Sequence, residues 1–267
     1  GRSPDSKNMV ETIILITLFG LAWGSFLNVV IYRLPRNMSL ITLRSSCPKC
    51  RTRIKFYDNI PVLSYIVLRG KCRHCQDKIP LSYFLVEILT PASFLLLYSK
   101  HSLSFHFFAS CLFASAMIAL GFIDYSHQIL PDEITLSGLF LAVVYSFFRT
   151  DLDLRQSLIG AVSGAGFLLF VYGAYFLLRK KEGLGMGDVT MMLFIGAFLG
   201  WQLSFFTLIL ASFSGALVGI FFIFIKKKKL QFALPFGTFL APAAFFALLW
   251  GEQIIQAYLS QFKNLTP

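Results

Sequence analysis

The chain has 267 residues, 56% of them hydrophobic and only 14% charged, with thirty phenylalanines and a formal net charge of +11. A soluble domain of this size could not bury so much apolar surface, so the composition excludes an ordinary globular protein and points to one that lives in lipid. The positive charges sit beside apolar runs, as in membrane proteins, which argues against a nucleic-acid-binding role.

Residues 1–8, ahead of Met9, read as a cloning remnant. Uncharged runs then cover 12–32, 102–123, 134–148, 156–178, 189–225 and 230–251, and a further span lies between Lys78 and Lys100, interrupted only by Glu87. The run from 189 holds 37 residues, nearly twice what one crossing needs, and Gly200-Trp201-Gln202 supplies an interfacial turn within it. This predicts an all-α polytopic bundle of about eight transmembrane helices. The first run lacks a basic leader and a small-residue cleavage site, so it reads as a helix that stays, over 9–32. A soluble segment over 33–80, a bundle over 81–258 and a tail over 259–267 complete the division.

Lys and Arg set the orientation. With eight spans and the amino terminus outside, the cytoplasmic segments are 33–80, 124–132, 179–188 and 226–229, and these hold 18 of the 24 Lys and Arg residues. The inverted topology would leave six inside, so the positive-inside bias favours the first.

The segment 33–80 carries Cys47-Pro-Lys-Cys50 and Cys72-Arg-His-Cys75, two C-x-x-C turns separated by 21 residues. Two such turns supply the four thiolates of a tetrahedral zinc site, and a segment this small needs a staple in place of a core. Disulfides are disfavoured in a reducing cytosol, and a redox motif would occur once, within a βαβ unit. Four thiolates close the coordination shell, so Cys47, Cys50, Cys72 and Cys75 form a structural Zn2+ site rather than a catalytic one. Cys111, within a span, reads as a buried inert thiol.

Asp124, in Gly-Phe-Ile-Asp-Tyr-Ser-His-Gln-Ile-Leu-Pro-Asp, falls at the end of one apolar run; Asp188, after Gly185 and Gly187 in Gly-Met-Gly-Asp, opens another. Ionisable groups at the edge of hydrocarbon are costly and mark function, and in the preferred topology both lie on the cytoplasmic side at similar depth. Paired carboxyls sharing a proton are what an aspartyl hydrolase requires, one acting as base on water and the other as acid towards the scissile carbonyl. A helix cap accounts for either aspartate alone, though less readily for the pair joined to glycines 183, 185 and 187. Glu87 inside a span costs roughly 2.5–3.5 kcal/mol even on a lenient insertion scale, so it needs a nearby Arg, backbone donors at the interface or a watery cavity.

Gly-Met-Gly-Asp at 185–188 resembles the G-x-G-D signature of intramembrane aspartyl proteases. Together with Gly24-Ser25-Phe26-Leu27-Asn28-Val29-Val30-Ile31-Tyr32-Arg33, the cysteine pairs around Tyr57-Asp58-Asn59-Ile60-Pro61, Phe122-Ile123-Asp124 through Asp132, and Pro235-Phe236-Gly237, it makes residues 20–245 similar to type IV prepilin peptidases. The resemblance implies a bifunctional enzyme of the bacterial inner membrane. Such an enzyme cleaves the basic leader of type IV prepilins or type II secretion pseudopilins after a Gly, then methylates the new amino terminus with S-adenosylmethionine. It also implies that the catalytic pair is Asp124 and Asp188 rather than Asp132, that Gly185 and Gly187 support them, and that Glu87 binds methyl donor or prepilin. Thr190, and Ser82-Tyr83-Phe84, depart from the family pattern without touching the aspartates. No glycine-rich nucleotide loop is visible, so methylation rests on the resemblance. The competing class is a proton- or cation-coupled transporter with the same aspartates as ion sites, against which stand the lack of a detectable inverted repeat and the placement of both away from midplane.

Overall fold

The computed structural model describes residues 4–40, 45–180, 185–226 and 235–263, and these contain helices and turns without any strand. Gly183 of the glycine motif lies outside the described residues, as do 1–3 and 264–267. The chain divides into two compact units within one helix, Gly1–Ala119 and Leu120–Pro267.

The first unit is built on α1 (Pro4–Arg33) and α3 (Leu81–His101), which pack against each other, with the short helix α2 (Leu63–Val67) in the connection. The packing repeats every four residues. A Cβ on Gly20 would lie 2.6 Å from Pro91 Cα and one on Gly24 3.0 Å from Glu87 Cα, while Asn28 donates to Tyr83 O at 3.0 Å. Small residues one turn apart let the two backbones touch, which in lipid replaces the hydrophobic drive that water would supply. The first part of α4 (Phe105–His127) belongs here too, where Ser115 Oγ accepts from Trp23 Nε1 at 3.0 Å.

The second unit holds the end of α4, then α5 (Asp132–Ser146), α6 (Leu154–Arg179), α7 (Met186–Leu199), α8 (Trp201–Lys226), α9 (Gly237–Phe246), a π-helical turn over Ala247–Gly251, and α10 (Glu252–Lys263). The long apolar run breaks at Gly200, whose φ of +81° only glycine adopts freely, so α7 and α8 are separate helices. α7 is the core of the unit. Its residues from Phe194 to Leu199 are all buried, and it packs on α5 and α6, with Ser157 Oγ donating to Ala197 O at 2.7 Å.

Six helical stretches are long and apolar enough to cross a membrane: Asn8–Arg36, Leu81–His101, Phe105–His127, Leu154–Arg179, Trp201–Phe222 and Gly237–Gln261. The other two runs read as spans from the sequence are helical but short. α5 has 15 residues and α7 has 14, so at about 1.5 Å per residue each covers about 21–23 Å of a hydrocarbon core about 30 Å thick. The molecule is a multi-pass, all-helical membrane protein.

Candidate active site and metal centre

Asp124 sits in the last turn of α4, which closes where Gln128 takes a positive φ of 55° and donates its N–H to Asp124 O at 2.8 Å. Asp188 is the third residue of α7, entered from an extended Gly185, and its Oδ2 accepts from Gly185 N at 3.3 Å. The two residues are 5% and 7% exposed, and Asp188 lies within electrostatic reach of Asp124.

A third helix end completes the group. Asp124 Oδ2 accepts from Thr238 N at 2.7 Å and from Thr238 Oγ at 3.1 Å, both in the first turn of α9, and the Gly237 N–H interacts with both carboxyls. Helix starts present unpaired N–H groups, so α9 offers donors to negative charge where α4 alone would offer none.

Two glycines keep the space open. A Cβ on Gly187 would lie 2.9 Å from Leu130 Cβ, and one on Gly237 would lie 3.0 Å from Asp124 Oδ2. Leu130 therefore packs against both helix starts beside the carboxyls. Gly185 meets only Asp188 itself, at 3.3 Å, so its part is the N–H it donates. Asp132 is exposed in the first turn of α5 and does not join the group. Thr190, the departure from the family pattern, donates to Gly187 O at 3.0 Å within α7. Sequence reasoning missed Thr238. The available signal was its position just after Pro235-Phe236-Gly237, where a helix begins on the side to which both aspartates had been assigned.

In the first unit the two cysteine turns are near copies. Cys47 N donates to Thr52 O and Arg51 N to Cys47 O; Cys72 N donates to Asp77 O and Gln76 N to Cys72 O, all between 2.8 and 3.0 Å. Arg51 and Gln76, each four residues after the first cysteine of its turn, have φ of 56° and 57°. The four sulfurs lie within 4.8 Å of one another, with Cys47–Cys75 at 3.8 Å and Cys50–Cys72 at 4.0 Å. Thiolates about 2.3 Å from a central zinc are about 3.8 Å apart at tetrahedral angles, so the cluster fits that ion. Interactions with the Thr52 side chain and backbone pull the Cys50 thiol down to about 6, whereas burial and the neighbouring thiols push that of Cys75 up to about 11, so the crowded sulfurs ionise together only around a cation. Asp58, in the loop between the turns, is held by Arg73 in a paired contact with distances of 2.6 to 3.1 Å, which keeps its carboxyl below the usual range.

Glu87 accepts the Val62 N–H at 2.7 Å and also interacts with Asn28 and Ser25. Its partner is thus loop backbone, one of the three possibilities expected. These three residues share a cavity of about 640 Å³ with Tyr32, Tyr65 and Tyr83.

The fold and these groups define a polytopic helical membrane protein with a buried aspartate pair and a separate cysteine tetrad. Residues 18–101 match the bacterial peptidase A24 N-terminal domain and residues 111–220 the type IV leader peptidase family. A prepilin leader peptidase/N-methyltransferase of Pseudomonas putida is 36% identical over 264 residues, covering 91% of this chain and 92% of the relative. Those of Aeromonas hydrophila and Pseudomonas aeruginosa are 36% and 34% identical, over 93% and 92% of this chain and 94% and 93% of their own. No solved structure is significantly similar. The chain belongs to the type IV leader peptidase family.

Proposed function

We propose that this protein cleaves the leader from type IV prepilins or type II secretion pseudopilins and N-methylates the amino terminus it exposes. The observation that carries the hydrolytic half is the buried pair Asp124 and Asp188, set at the ends of α4 and α7 with Thr238 fixing one oxygen of Asp124. One carboxylate takes a proton from water as the hydroxyl adds to the scissile carbonyl, while the other, protonated, donates to the carbonyl oxygen; collapse of the tetrahedral intermediate returns a proton to the leaving amine. The membership of the chain in the leader peptidase family supports the prepilin substrate and leaves the transporter reading without support.

The finer assignments belong to the same proposal. The topology has eight helices within the membrane, of which α5 and α7 are short ones packed together, with the amino terminus outside and the dyad and the 33–80 segment on the cytoplasmic face of the bacterial inner membrane. Zinc in the tetrad staples that segment. S-adenosylmethionine supplies a methyl group from a sulfonium centre, and the cavity beside Glu87, with a carboxylate, an amide, a hydroxyl and three tyrosine rings, has the size and donor set for such a molecule.

Purified full-length protein incubated with a prepilin and S-adenosylmethionine tests both halves by mass spectrometry. Loss of the leader followed by a gain of one methyl group is expected. An intact prepilin would overturn the proposal, and cleavage without the methyl group would overturn its second half alone.

A further inference from the structure

Among the described residues, the connection between α1 and α3 exposes an unusual amount of apolar side chain for a segment read as soluble. On α2, Leu63, Ile66 and Val67 are 60%, 57% and 72% exposed, and just before it Phe56 is 87% and Ile60 45% exposed. The positions 63, 66 and 67 share one helical face, while Ser64 and Tyr65 point the other way, into the cavity. Apolar groups gathered on one side of a five-residue helix mark a surface that meets something other than water.

The depth of this segment can be read from its anchor. α3 has 21 residues, about 31 Å, so crossing a core about 30 Å thick uses nearly all of it and puts Leu81 near the edge of the hydrocarbon. Glu87 is six residues further in, about 9 Å along the axis. Side chains lean back towards the start of a helix, so its carboxylate lies shallower than its Cα, yet still beside the first two turns of the span. That carboxylate holds the Val62 N–H at 2.7 Å, which brings the backbone at the start of α2 to the same level.

Most of the backbone there is bonded within the segment, as contact with lipid favours. Leu63 N donates to Pro61 O, Ser64 N to Ile60 O, Ile66 N to Val62 O, Leu68 N to Ser64 O and Gly70 N to Tyr65 O, and the Ser64 hydroxyl donates to Tyr57 O. Val62 adopts φ 64° and ψ −52°, a conformation costly for a β-branched residue, and Glu87 and these turns hold it there. Exposed Arg53 and Lys55 precede the apolar residues in the chain and exposed Arg69 and Lys71 follow them, the pattern of a segment that rests on anionic headgroups.

We propose that the face formed by Leu63, Ile66 and Val67, with Phe56 beside it, dips into the headgroup and upper acyl region of the leaflet on the side of the cysteine tetrad. Glu87 is the post that pins this segment to α3. The occupant of the surface is lipid, and the segment is a membrane-resting edge of the metal-binding loop.

Carbene photolabelling of the wild-type protein in nanodiscs containing anionic lipid tests this without any substitution. A diazirine carried near the glycerol end of an acyl chain should label Leu63, Ile66 and Val67 about as strongly as the lipid-facing Leu85 of α3, while a water-soluble diazirine should label them several-fold less. Labelling by the water-soluble reagent alone would place the face in solvent and overturn the proposal. Labelling by neither would show that protein covers it, from this chain or a bound substrate, and would overturn it equally. In a Leu63→Asp/Val67→Asp variant that keeps its metal, lipid-phase labelling of 63–67 should fall at least several-fold, and unchanged labelling would count against the proposal.

Discussion

In the first unit the four sulfurs come from two turns of matching backbone, each closed by its own hydrogen bonds, and Cys47 and Cys75 are only 28 residues apart. In the second unit the two aspartates and Thr238 come from the ends of three helices, and Asp124 lies 114 residues from its partner Thr238. The cysteine site is locally specified. The carboxyl site has no local geometry of its own and exists only when α4, α7 and α9 are packed, with Gly187 and Gly237 admitting Leu130 between them. A locally built site should therefore fail by losing its ion, and a convergent one by losing its alignment.

The sharpest separation of the two comes from the metal. Apparent zinc binding in small modules is worth about 10–16 kcal/mol, nearly all of it folding energy. Cys47→Ser or Cys72→Ser should abolish stoichiometric zinc and open residues 45–80 to limited proteolysis, while α6 to α9 keep their protection from hydrogen exchange. Full-length protein without zinc by elemental analysis, or a cysteine variant that resists proteolysis like the wild type, would break the comparison from the first side. Acid should act in the same direction, releasing metal as the thiolates are protonated.

From the other side the probe is Thr238. A hydrogen bond to a charged group contributes about 1.5–3 kcal/mol, so Thr238→Val should lower kcat about 10- to 100-fold with little change in KM. Thr238→Ser, which restores the hydroxyl, should recover most of it, and zinc content should be normal in both variants. A change confined to KM would mean that Thr238 contacts substrate instead of orienting Asp124.

How far each site was legible follows from the same contrast. The tetrad could be read directly because C-x-x-C spacing is a local property, whereas each aspartate could be read only as a polar group out of place at the end of an apolar run. Thr238 carried no such mark: a hydroxyl in a run of apolar residues fits lipid without comment, and its role depends on where α9 starts relative to α4. The partner of Glu87 was hidden for a related reason, since the Val62 N–H points to it only through a positive φ that propensity disfavours for valine. Span length is where the sequence and the structure differ. Absence of charge makes 134–148 and the first part of 189–225 look like spans, but α5 and α7 are short, and α7 is surrounded by protein along most of its length.

The smallest expected effect lies in the loop between the cysteine turns. Arg73 is about half exposed, so solvent screens its pair with Asp58 and the pair should stabilise the loop only slightly. Because the folded carboxyl lies below the ordinary value near about 3.9, that contribution is full above the ordinary value and disappears as pH falls through the lower folded one. Arg73→Gln should remove this acid-side loss from the proteolytic stability of the loop without altering zinc content at neutral pH.

The claim that the two aspartates act as one hydrolytic site is tested most directly by comparing leader release by wild-type, Asp124→Asn and Asp188→Asn proteins under single-turnover conditions, with zinc content and thermal stability measured in parallel. We expect each variant to retain metal and fold and to lose cleavage by more than about 100-fold, because base and acid are both required. A folded variant of either kind that still releases leader at more than about 1% of the wild-type rate would contradict the two-aspartate account.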